Sequence, residues 1–218
     1  MSVTDRPPSE TGPQKGSAFT VSRQFRRPSG PLGWLAGQLM ARKNAPMNRL
    51  AVELLDASPD DRIVEIGFGP GTAIQMLARG TEIGLIAGVD WSSAMLRQAG
   101  RRNRQSIRAG RVELHAGTAS QLPFPDAHFT KAFAVNSFHH WSSQLDDLLE
   151  VRRVLSENGL LLLCLRMALP KQSLFAAPGM TEEQVRSAEQ LVERAGFRGV
   201  RTLRRNVGRE VSCILAYK

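Results

Sequence analysis

Residues 64–72 read Val-Glu-Ile-Gly-Phe-Gly-Pro-Gly-Thr, and this stretch decides the fold. An apolar run ends in three glycines at alternate positions, and apolar residues at helical spacing follow through Leu77. Glycine tolerates positive φ and lets a ligand approach the backbone closely. The stretch therefore predicts a buried strand that turns sharply into a helix, with a ligand-binding loop between them.

The alternation of strand and helix patterns continues to the end of the chain. Seven segments with strand patterns predict the sheet, namely 63–66, 83–89, 112–115, 129–135, 160–165, 200–204 and 211–217. A capping-box pattern, Thr181 to Gln184, marks the start of the last helix. We therefore predict an α/β, Rossmann-like, doubly wound fold with a seven-stranded, mostly parallel sheet and helices on both faces. Ligands of such sheets bind at the carboxyl ends of the strands.

The N-terminal part of the chain differs in composition from the rest. Residues 1–20 are rich in Pro, Ser, Thr and Gly and predict a disordered tail. Residues 21–58 predict a helical arm made of two helices, one ending near Arg42 and the next beginning at Pro46. We expect this arm to form a lid over the site, and residues 59–218 to form the main domain.

Composition limits the class of protein. The 218 residues are 42% hydrophobic and 22% charged, as in ordinary globular proteins, and contain two cysteines, too few for a disulfide scaffold. The longest apolar run, Leu160–Leu165, is far shorter than the ~20 residues of a membrane span. The first residues lack the apolar core of a secretory signal, so the sequence predicts a cytoplasmic protein.

The net charge of +9 is concentrated in the N-terminal part of the chain. Residues 1–49 carry eight Lys or Arg and two Asp or Glu, whereas residues 50–218 carry 21 and 18. A core of nearly balanced charge is not typical of a dedicated nucleic-acid reader, so nucleic acid is not the expected partner.

The charge next to the glycines indicates the kind of ligand. A dinucleotide site has the spacing Gly-x-Gly-x-x-Gly, but here the spacing is Gly-x-Gly-x-Gly and Thr72 holds the sixth position. Glu65 precedes the first glycine by two residues. A buried carboxylate repels a pyrophosphate and attracts a cation. The pattern therefore favours a cofactor that carries an ammonium and a sulfonium group.

These motifs, with Asp90 at the end of the second predicted strand, resemble class I S-adenosylmethionine-dependent methyltransferases over about residues 45–166. Among these, the chain is most similar to small bacterial enzymes akin to the ubiquinone/menaquinone-biosynthesis methyltransferases. The resemblance implies S-adenosyl-L-methionine as cofactor and S-adenosyl-L-homocysteine as product. It implies that the cofactor contacts Glu65, Gly67, Phe68, Gly69, Gly71, Asp90, Trp91, Thr118, Ala119 and Asn136.

The resemblance also implies a role for each part of this set. Glu65 and the glycines would hold the methionine portion, and Asp90 would accept hydrogen bonds from both ribose hydroxyls. Trp91, Thr118 and Ala119 would lie on the adenine side. Thr118 stands where the family usually carries an Asp, so the adenine contact would rest on a neutral hydroxyl or on the main chain of Ala119.

Residues 136–141, Asn-Ser-Phe-His-His-Trp, resemble the family segment that lies under the methyl group. His139 or His140 is the candidate general base, because a histidine pKa lies near neutrality. Trp34, Phe138 and Trp141 are the candidate acceptor contacts. No cysteine or carboxylate lies near the histidines at ligand spacing, so we expect no metal.

We therefore expect an enzyme that transfers a methyl group to an O, N or C nucleophile of a small-molecule acceptor by in-line attack. One alternative is a nucleic-acid methyltransferase that uses the basic arm. Another is a non-catalytic protein that binds the cofactor and acts as a partner. The sequence makes no prediction about the oligomeric state.

Overall fold

A computed structural model describes residues 30–80, 84–169 and 179–218, with side chains described from residue 42 onward. The predicted tail, the arm up to residue 29, and most of the loop that precedes the last helix (residues 170–178) lie outside the described residues. The side chain of Trp34 lies outside them as well.

Strands and helices alternate through the described chain. In order they are α1 (Gly30–Leu55), β1 (Arg62–Ile66), α2 (Thr72–Gly80), β2 (Leu85–Asp90), α3 (Ser93–Arg102), α4 (Arg104–Arg108), β3 (Val112–Ala116), β4 (Phe129–Val135), a 3₁₀ turn (Phe138–His140), α5 (Gln144–Val154), β5 (Leu155–Arg166), α6 (Glu182–Arg194), β6 (Arg198–Asn206) and β7 (Glu210–Tyr217). None of the helices among the described residues is long and apolar enough to cross a membrane.

The seven strands form one sheet in the order β3-β2-β1-β4-β5-β7-β6. Neighbours from β3 to β5 pair in parallel, and β7 is antiparallel to both β5 and β6. The predicted seven-stranded, mostly parallel sheet is thus confirmed. The strand order reverses direction at β1 and β4, and this switch point is where ligands bind in open α/β sheets.

Helices cover both faces of the sheet, as predicted for a doubly wound fold. One apolar layer joins α1, α2 and α3 to the sheet and contains Ile63 and Cys164, and we call this side the α1 face. The other layer joins α5 and α6 to the sheet and contains Val64 and Leu163, and we call it the α5 face. Because successive strand residues point to opposite faces, Glu65 belongs to the α1 face.

The N-terminal arm differs from the prediction of two helices. The structure has one helix, α1, which runs from Gly30 to Leu55 with Pro46 inside it. A proline inside a helix removes one hydrogen bond, but packing outweighs this local penalty. Met47, Leu50 and Ala51, which follow the proline, are buried against the sheet and α2, and they fix the second half of the helix on the core.

Side chains from the amino edge of the sheet complete the last turn of α1. Lys131 on β4 donates its Nζ to the carbonyl oxygens of Leu55 at 2.8 Å and Asp56 at 2.7 Å. The same Nζ lies 2.7 Å from Oδ2 of Asp61. A cleft of about 450 Å³ opens beside these residues, at the edge of the sheet opposite the glycine loop. Its polar lining secures α1 to the sheet, so we regard it as structural.

Two other boundaries are informative. The strand predicted from residue 160 begins at Leu155, because Leu155 pairs with Phe129 before the register shifts to Lys131 opposite Leu160. The helix predicted from Thr181 is confirmed as α6. The Thr181 hydroxyl accepts from the Gln184 N–H, and the Gln184 side chain accepts from the Thr181 N–H.

Candidate functional site

The glycine loop joins β1 to α2 in a conformation that favours glycine. The φ angles are +77° at Gly67, +53° at Gly69 and +72° at Gly71. The Gly67 N–H donates to the carbonyl of Val89 on β2 at 2.8 Å, and the Gly71 N–H donates to the Phe68 carbonyl at 2.9 Å. A left-handed backbone conformation costs a residue other than glycine roughly 1–2 kcal/mol. Three such positions within five residues therefore strongly favour glycine.

Two of the three glycines are closely packed from behind. A Cβ on Gly67 would lie 2.5 Å from Cβ of Ser137, whose Oγ donates to the Ile66 carbonyl at 2.6 Å. A Cβ on Gly71 would lie 2.6 Å from Cβ of Ala99 on α3. Gly69 differs, because nothing among the described residues lies within 4 Å of a Cβ built there. The loop is thus supported on one side and open at its centre.

Asp90 ends β2 and binds the loop. Its Oδ2 accepts from the Gly69 N–H at 2.8 Å, and its Oδ1 accepts from the Ser92 N–H at 2.8 Å. Burial raises the pKa of Asp90, and these two hydrogen bonds offset part of the rise. A carboxylate has about four lone-pair sites, so two remain for a ligand.

Glu65 lies one residue before the end of β1 and is 3% exposed. Among the described residues, no hydrogen-bond partner reaches its Oε2. Burial raises the pKa of Glu65 well above its usual range, and the charge of Asp90 raises it further, although the Ile74 N–H acts in the opposite direction. Two buried carboxyl groups thus face one crevice, and no Lys or Arg of the described chain forms an ion pair with either.

The loop after β3 borders the crevice beyond β2. The Gly117 N–H donates to the Asp90 carbonyl at 3.1 Å, which brings the residues after Gly117 beside the end of β2. Thr118 is exposed, whereas the Ala119 side chain is buried in the core of the α5 face, so only its main chain can face a ligand. Trp91 follows Asp90 and is 47% exposed.

The segment after β4 borders the crevice beyond β1. Asn136 has a φ of +53°, and its N–H donates to the Cys164 carbonyl on β5 at 2.8 Å. The following 3₁₀ turn brings the rings of His139 and His140 to a centroid separation of 3.9 Å. His139 is half-buried and His140 is exposed. Both rings therefore lie near the switch point of the sheet.

Two of the predicted contact residues, Phe138 and Phe68, have buried side chains. Phe138 is 0% exposed and packs edge-to-face on Trp141 at a centroid distance of 5.0 Å. Such a side chain belongs to the core and does not line a pocket, so the predicted acceptor contact of Phe138 does not fit the structure. Phe68 is also buried and packs where a Cβ on Gly88 would lie, so any cofactor contact of Phe68 would use its main chain.

Sequence reasoning missed the residues that hold the loop from behind. Asn103, buried at the end of α3, donates its Nδ2 to the carbonyls of Gly71 at 3.1 Å and Ala99 at 3.0 Å. Arg102 donates to the Pro70 carbonyl and to the Thr72 hydroxyl. These residues lie about 30 positions from the loop, and no motif links them to it. Among the described residues, no cluster of three His, Cys, Asp or Glu could hold a metal ion.

Comparison with known proteins agrees with this geometry. Residues 64–163 match the family model described as a methyltransferase domain. The chain is 28% identical to the uncharacterized methyltransferase YdaC of Bacillus subtilis, over 84% of this chain and 98% of YdaC. It is 27% identical to the ubiquinone/menaquinone biosynthesis C-methyltransferase UbiE of Geotalea daltonii, over 58% of this chain and 54% of UbiE.

Among solved structures, the fold resembles a SAM-dependent methyltransferase from Aquifex aeolicus. The TM-score is 0.67 and the identity 18%, with 93% of this chain and 99% of that chain covered. The matched family model spans the glycine loop, Asp90 and the segment after β4, which are the parts that form the crevice. These matches support a class I S-adenosylmethionine-dependent methyltransferase with S-adenosylmethionine as its cofactor.

Proposed function

We propose that this methyltransferase acts on a small-molecule acceptor that lies over the carboxyl ends of β4 and β5. The observation that supports the cofactor part of the proposal is the pair of buried carboxyl groups at Glu65 and Asp90, with which no Lys or Arg of the described chain forms an ion pair. A ligand with an ammonium and a sulfonium satisfies this charge requirement, and the open space at Gly69 admits it. The residues present therefore fit the cofactor.

We assign the cofactor contacts from these positions. Glu65 holds the ammonium end, because its Oε2 is buried and no hydrogen-bond partner reaches it from the part of the chain that the structure describes. The main chain of Gly67 and Gly69 lies against the methionine portion, and the two remaining acceptor sites of Asp90 bind the ribose hydroxyls. Trp91 and Thr118 flank the adenine beyond β2.

The remaining cofactor contacts follow from burial and from position along the sheet. Gly71, Phe68 and Ala119 contribute through the main chain. Asn136 closes the side toward β4, since its N–H is fixed on the Cys164 carbonyl of β5.

S-adenosylmethionine, when bound, supplies an electrophilic methyl carbon. The chain then has to align an acceptor atom behind that carbon and exclude water, and alignment alone can lower a barrier by about 7–11 kcal/mol. His139 or His140, on the turn after β4, removes the proton from an oxygen acceptor. Trp141 and the upstream part of the arm, including Trp34, are the proposed walls of the acceptor pocket.

Two measurements test the proposal. Calorimetric titration with S-adenosylhomocysteine should show one site, and NADH should fail to compete for it. The enzyme is then incubated with S-adenosylmethionine labelled in the methyl group, together with quinols, phenols, amines or total RNA. We expect label on a small molecule, and label on RNA alone would contradict the proposal.

His139→Asn and His140→Asn identify the base. Loss of a general base lowers turnover by about 10²–10⁴-fold. We expect one of the two variants to show this loss, with an unchanged affinity for S-adenosylhomocysteine. The other variant is its matched control. Full activity in both variants would show that neither histidine is the base.

A further inference from the structure

Arg166, the last residue of β5, is a buried cation. It is 8% exposed, and its guanidinium donates to Oδ1 of Asn44 on α1. Among the described residues, no carboxylate pairs with it. Arginine is rarely buried unless an anion accompanies it, because an unpaired charge is costly to remove from water.

A second arginine lies close to the first. Arg209, in the turn between β6 and β7, donates its Nε and Nη2 to the Met167 carbonyl at 3.2 and 3.0 Å. Burial lowers the pKa of Arg166, and the positive charge of Arg209 lowers it further. Two guanidinium groups thus repel each other at one end of the sheet, and an anion between them would relieve the repulsion and accept charge-assisted hydrogen bonds from both.

The position of Arg166 relates it to the crevice. Arg166 follows Cys164 by two residues, so its side chain is on the α1 face, as is that of Glu65. Glu65 aligns with Phe133, and Phe133 aligns with Leu162, so Arg166 lies two strands across and four residues further along. This corresponds to roughly 10 Å across the sheet and roughly 13 Å along it.

That separation leaves room for a reaction centre between the two residues. Glu65 is the proposed partner of the ammonium end of the cofactor, and the turn with His139 and His140 follows β4, which lies between β1 and β5. An acceptor aligned with the methyl group would extend from this turn toward the end of β5. Its far end would meet Arg166.

We propose that Arg166 and Arg209 bind an anionic oxygen group, a carboxylate or a phosphate, of the methyl acceptor. The existence of an anion site follows from the arginine pair alone. Its assignment to the acceptor rests on the proposed function. The site would select acidic acceptors over neutral ones of the same shape, because a neutral acceptor leaves the buried charge of Arg166 unpaired.

The test uses the full chain and two probes, inorganic phosphate and benzoate, at constant ionic strength. Thermal unfolding is followed as each probe is titrated, with and without S-adenosylhomocysteine. At a concentration far above its dissociation constant, the preferred probe should raise the Tm of the wild-type protein by about 5 °C. The probe with the larger effect identifies the group as a phosphate or a carboxylate.

Arg166→Met should bind the preferred probe at least about tenfold more weakly, because a charged hydrogen bond is lost. Without a probe, Arg166→Met should unfold at a temperature equal to or above that of the wild type, since it removes an unpaired charge. Arg209→Met leaves the contact with Asn44 in place and should also weaken binding. Arg201→Met, at an exposed arginine of β6, is the matched control and should behave as the wild type.

A response to the probes that Arg166→Met and Arg209→Met both retain would overturn the proposal. A large loss of stability in Arg166→Met without a probe would do so too, because it would show a purely structural arginine. If S-adenosylhomocysteine fails to bind while the anion response persists, the proposed function fails and the anion site stands. The two results are therefore distinguishable.

Discussion

The main-chain N–H of Gly69 donates to Oδ2 of Asp90 across 2.8 Å, and this bond joins two residues that are 21 positions apart in the sequence. It connects the centre of the glycine loop to the end of the neighbouring strand. Asp90 thus shapes the loop with one set of lone pairs and offers the other set to a ligand. In the proposed site, the shape of the loop and the binding of the cofactor would therefore depend on the same carboxylate.

Asp90→Asn tests this double use. Asparagine keeps the shape of the side chain, but its NH₂ group replaces one of the two oxygens and cannot accept the hydrogen bond that this oxygen accepts from Gly69 or Ser92. The negative charge of the side chain is also lost. We expect the affinity for S-adenosylhomocysteine to fall by at least about tenfold, as for a lost charged hydrogen bond. Calorimetric titration measures the change. Asp60→Asn, at an exposed position, is the control, and equal affinities in the two variants would count against the assignment.

Glu65→Gln should change stability and binding in opposite directions. The pKa of Glu65 is raised in the folded protein, so deprotonation of this carboxyl group destabilises the fold. The stabilising contribution of protonated Glu65 is fully present below the unfolded pKa of about 4.3, and it is lost as pH rises through the folded pKa. The variant removes this loss, and it should therefore unfold at a higher temperature than the wild type at pH 7. The advantage should disappear below about pH 4.

The same substitution removes the negative charge that the proposed ammonium contact needs. We expect the affinity of Glu65→Gln for S-adenosylmethionine to fall by about 10–100-fold, which corresponds to a charged hydrogen bond. Thermal unfolding across pH and calorimetric titration measure the two effects. Glu53→Gln, at an exposed site on α1, should show neither effect. A variant that binds the cofactor as tightly as the wild type would refute the assignment of Glu65.

Gly69→Ala and Gly71→Ala form a matched pair, because both glycines have positive φ and differ in their surroundings. At Gly71 the new methyl group would meet Ala99 at 2.6 Å, so overpacking adds to backbone strain. We expect urea denaturation to show a loss of about 2–5 kcal/mol. At Gly69 strain alone should cost about 1–2 kcal/mol.

Cofactor binding separates the two variants in a second way. The methyl group at Gly69 would occupy the open centre of the loop, so titration should show that affinity falls although the fold is retained. The comparison fails if Gly71→Ala proves as stable as Gly69→Ala, or if Gly69→Ala binds S-adenosylhomocysteine normally.

Lys131→Met should weaken the attachment of α1. The variant removes hydrogen bonds to Leu55 and Asp56 and leaves the carboxylate of Asp61 without its cation. We expect a loss of about 2–4 kcal/mol at pH 7 by urea denaturation. Lys218→Met, which removes one hydrogen bond to Leu155 and a 3.9 Å ion pair with the exposed Glu157, is the control and should lose less.

The pH dependence of this loss follows from Asp61. Burial raises its pKa, but hydrogen bonds from Lys131, Ser58 and Thr130 outweigh burial and lower the pKa overall. Because its pKa is lowered, ionised Asp61 stabilises the folded protein at pH values above its unfolded pKa of about 3.9. This stabilisation is lost as pH falls through the pKa of Asp61 in the folded protein. The difference between wild type and Lys131→Met should stay constant from about pH 5 to 8 and narrow below about pH 4. A constant difference down to pH 3 would exclude this role.

The sequence was sufficient for the features that depend on local pattern. Alternating strands and helices predicted the sheet, and parallel strands end at one edge, which is why the glycine loop and Asp90 could be assigned to one site. The sequence was insufficient where a contact between residues far apart in the chain determines the local structure. Nothing around Pro46 indicates that packing of Met47 and Leu50 carries α1 through the proline, and nothing around Asn103 indicates that its amide reaches Gly71.

Burial also limited the prediction of site residues. A motif fixes the order of residues along the chain but not which side chain turns inward, so Phe138 and His139 look equivalent in sequence. In the structure Phe138 is in the core and His139 is half-buried beside the crevice. The roles of the cofactor and acceptor residues remain predictions, and the variants above test those of Glu65, Gly69, Asp90, His139 and His140. The lid formed by residues 21–58 also remains a prediction.

The glycine loop is closely packed at its two ends and open at its centre. Ser137, Ala99 and Asn103 press on it from the protein interior, and Gly69 opens outward. In this arrangement the residues that support the glycine loop are different from the residues at the rim of the crevice. In the proposed site, the rim around His140 and Arg166 would then select the acceptor, and the same loop would bind the methyl donor whatever the acceptor is.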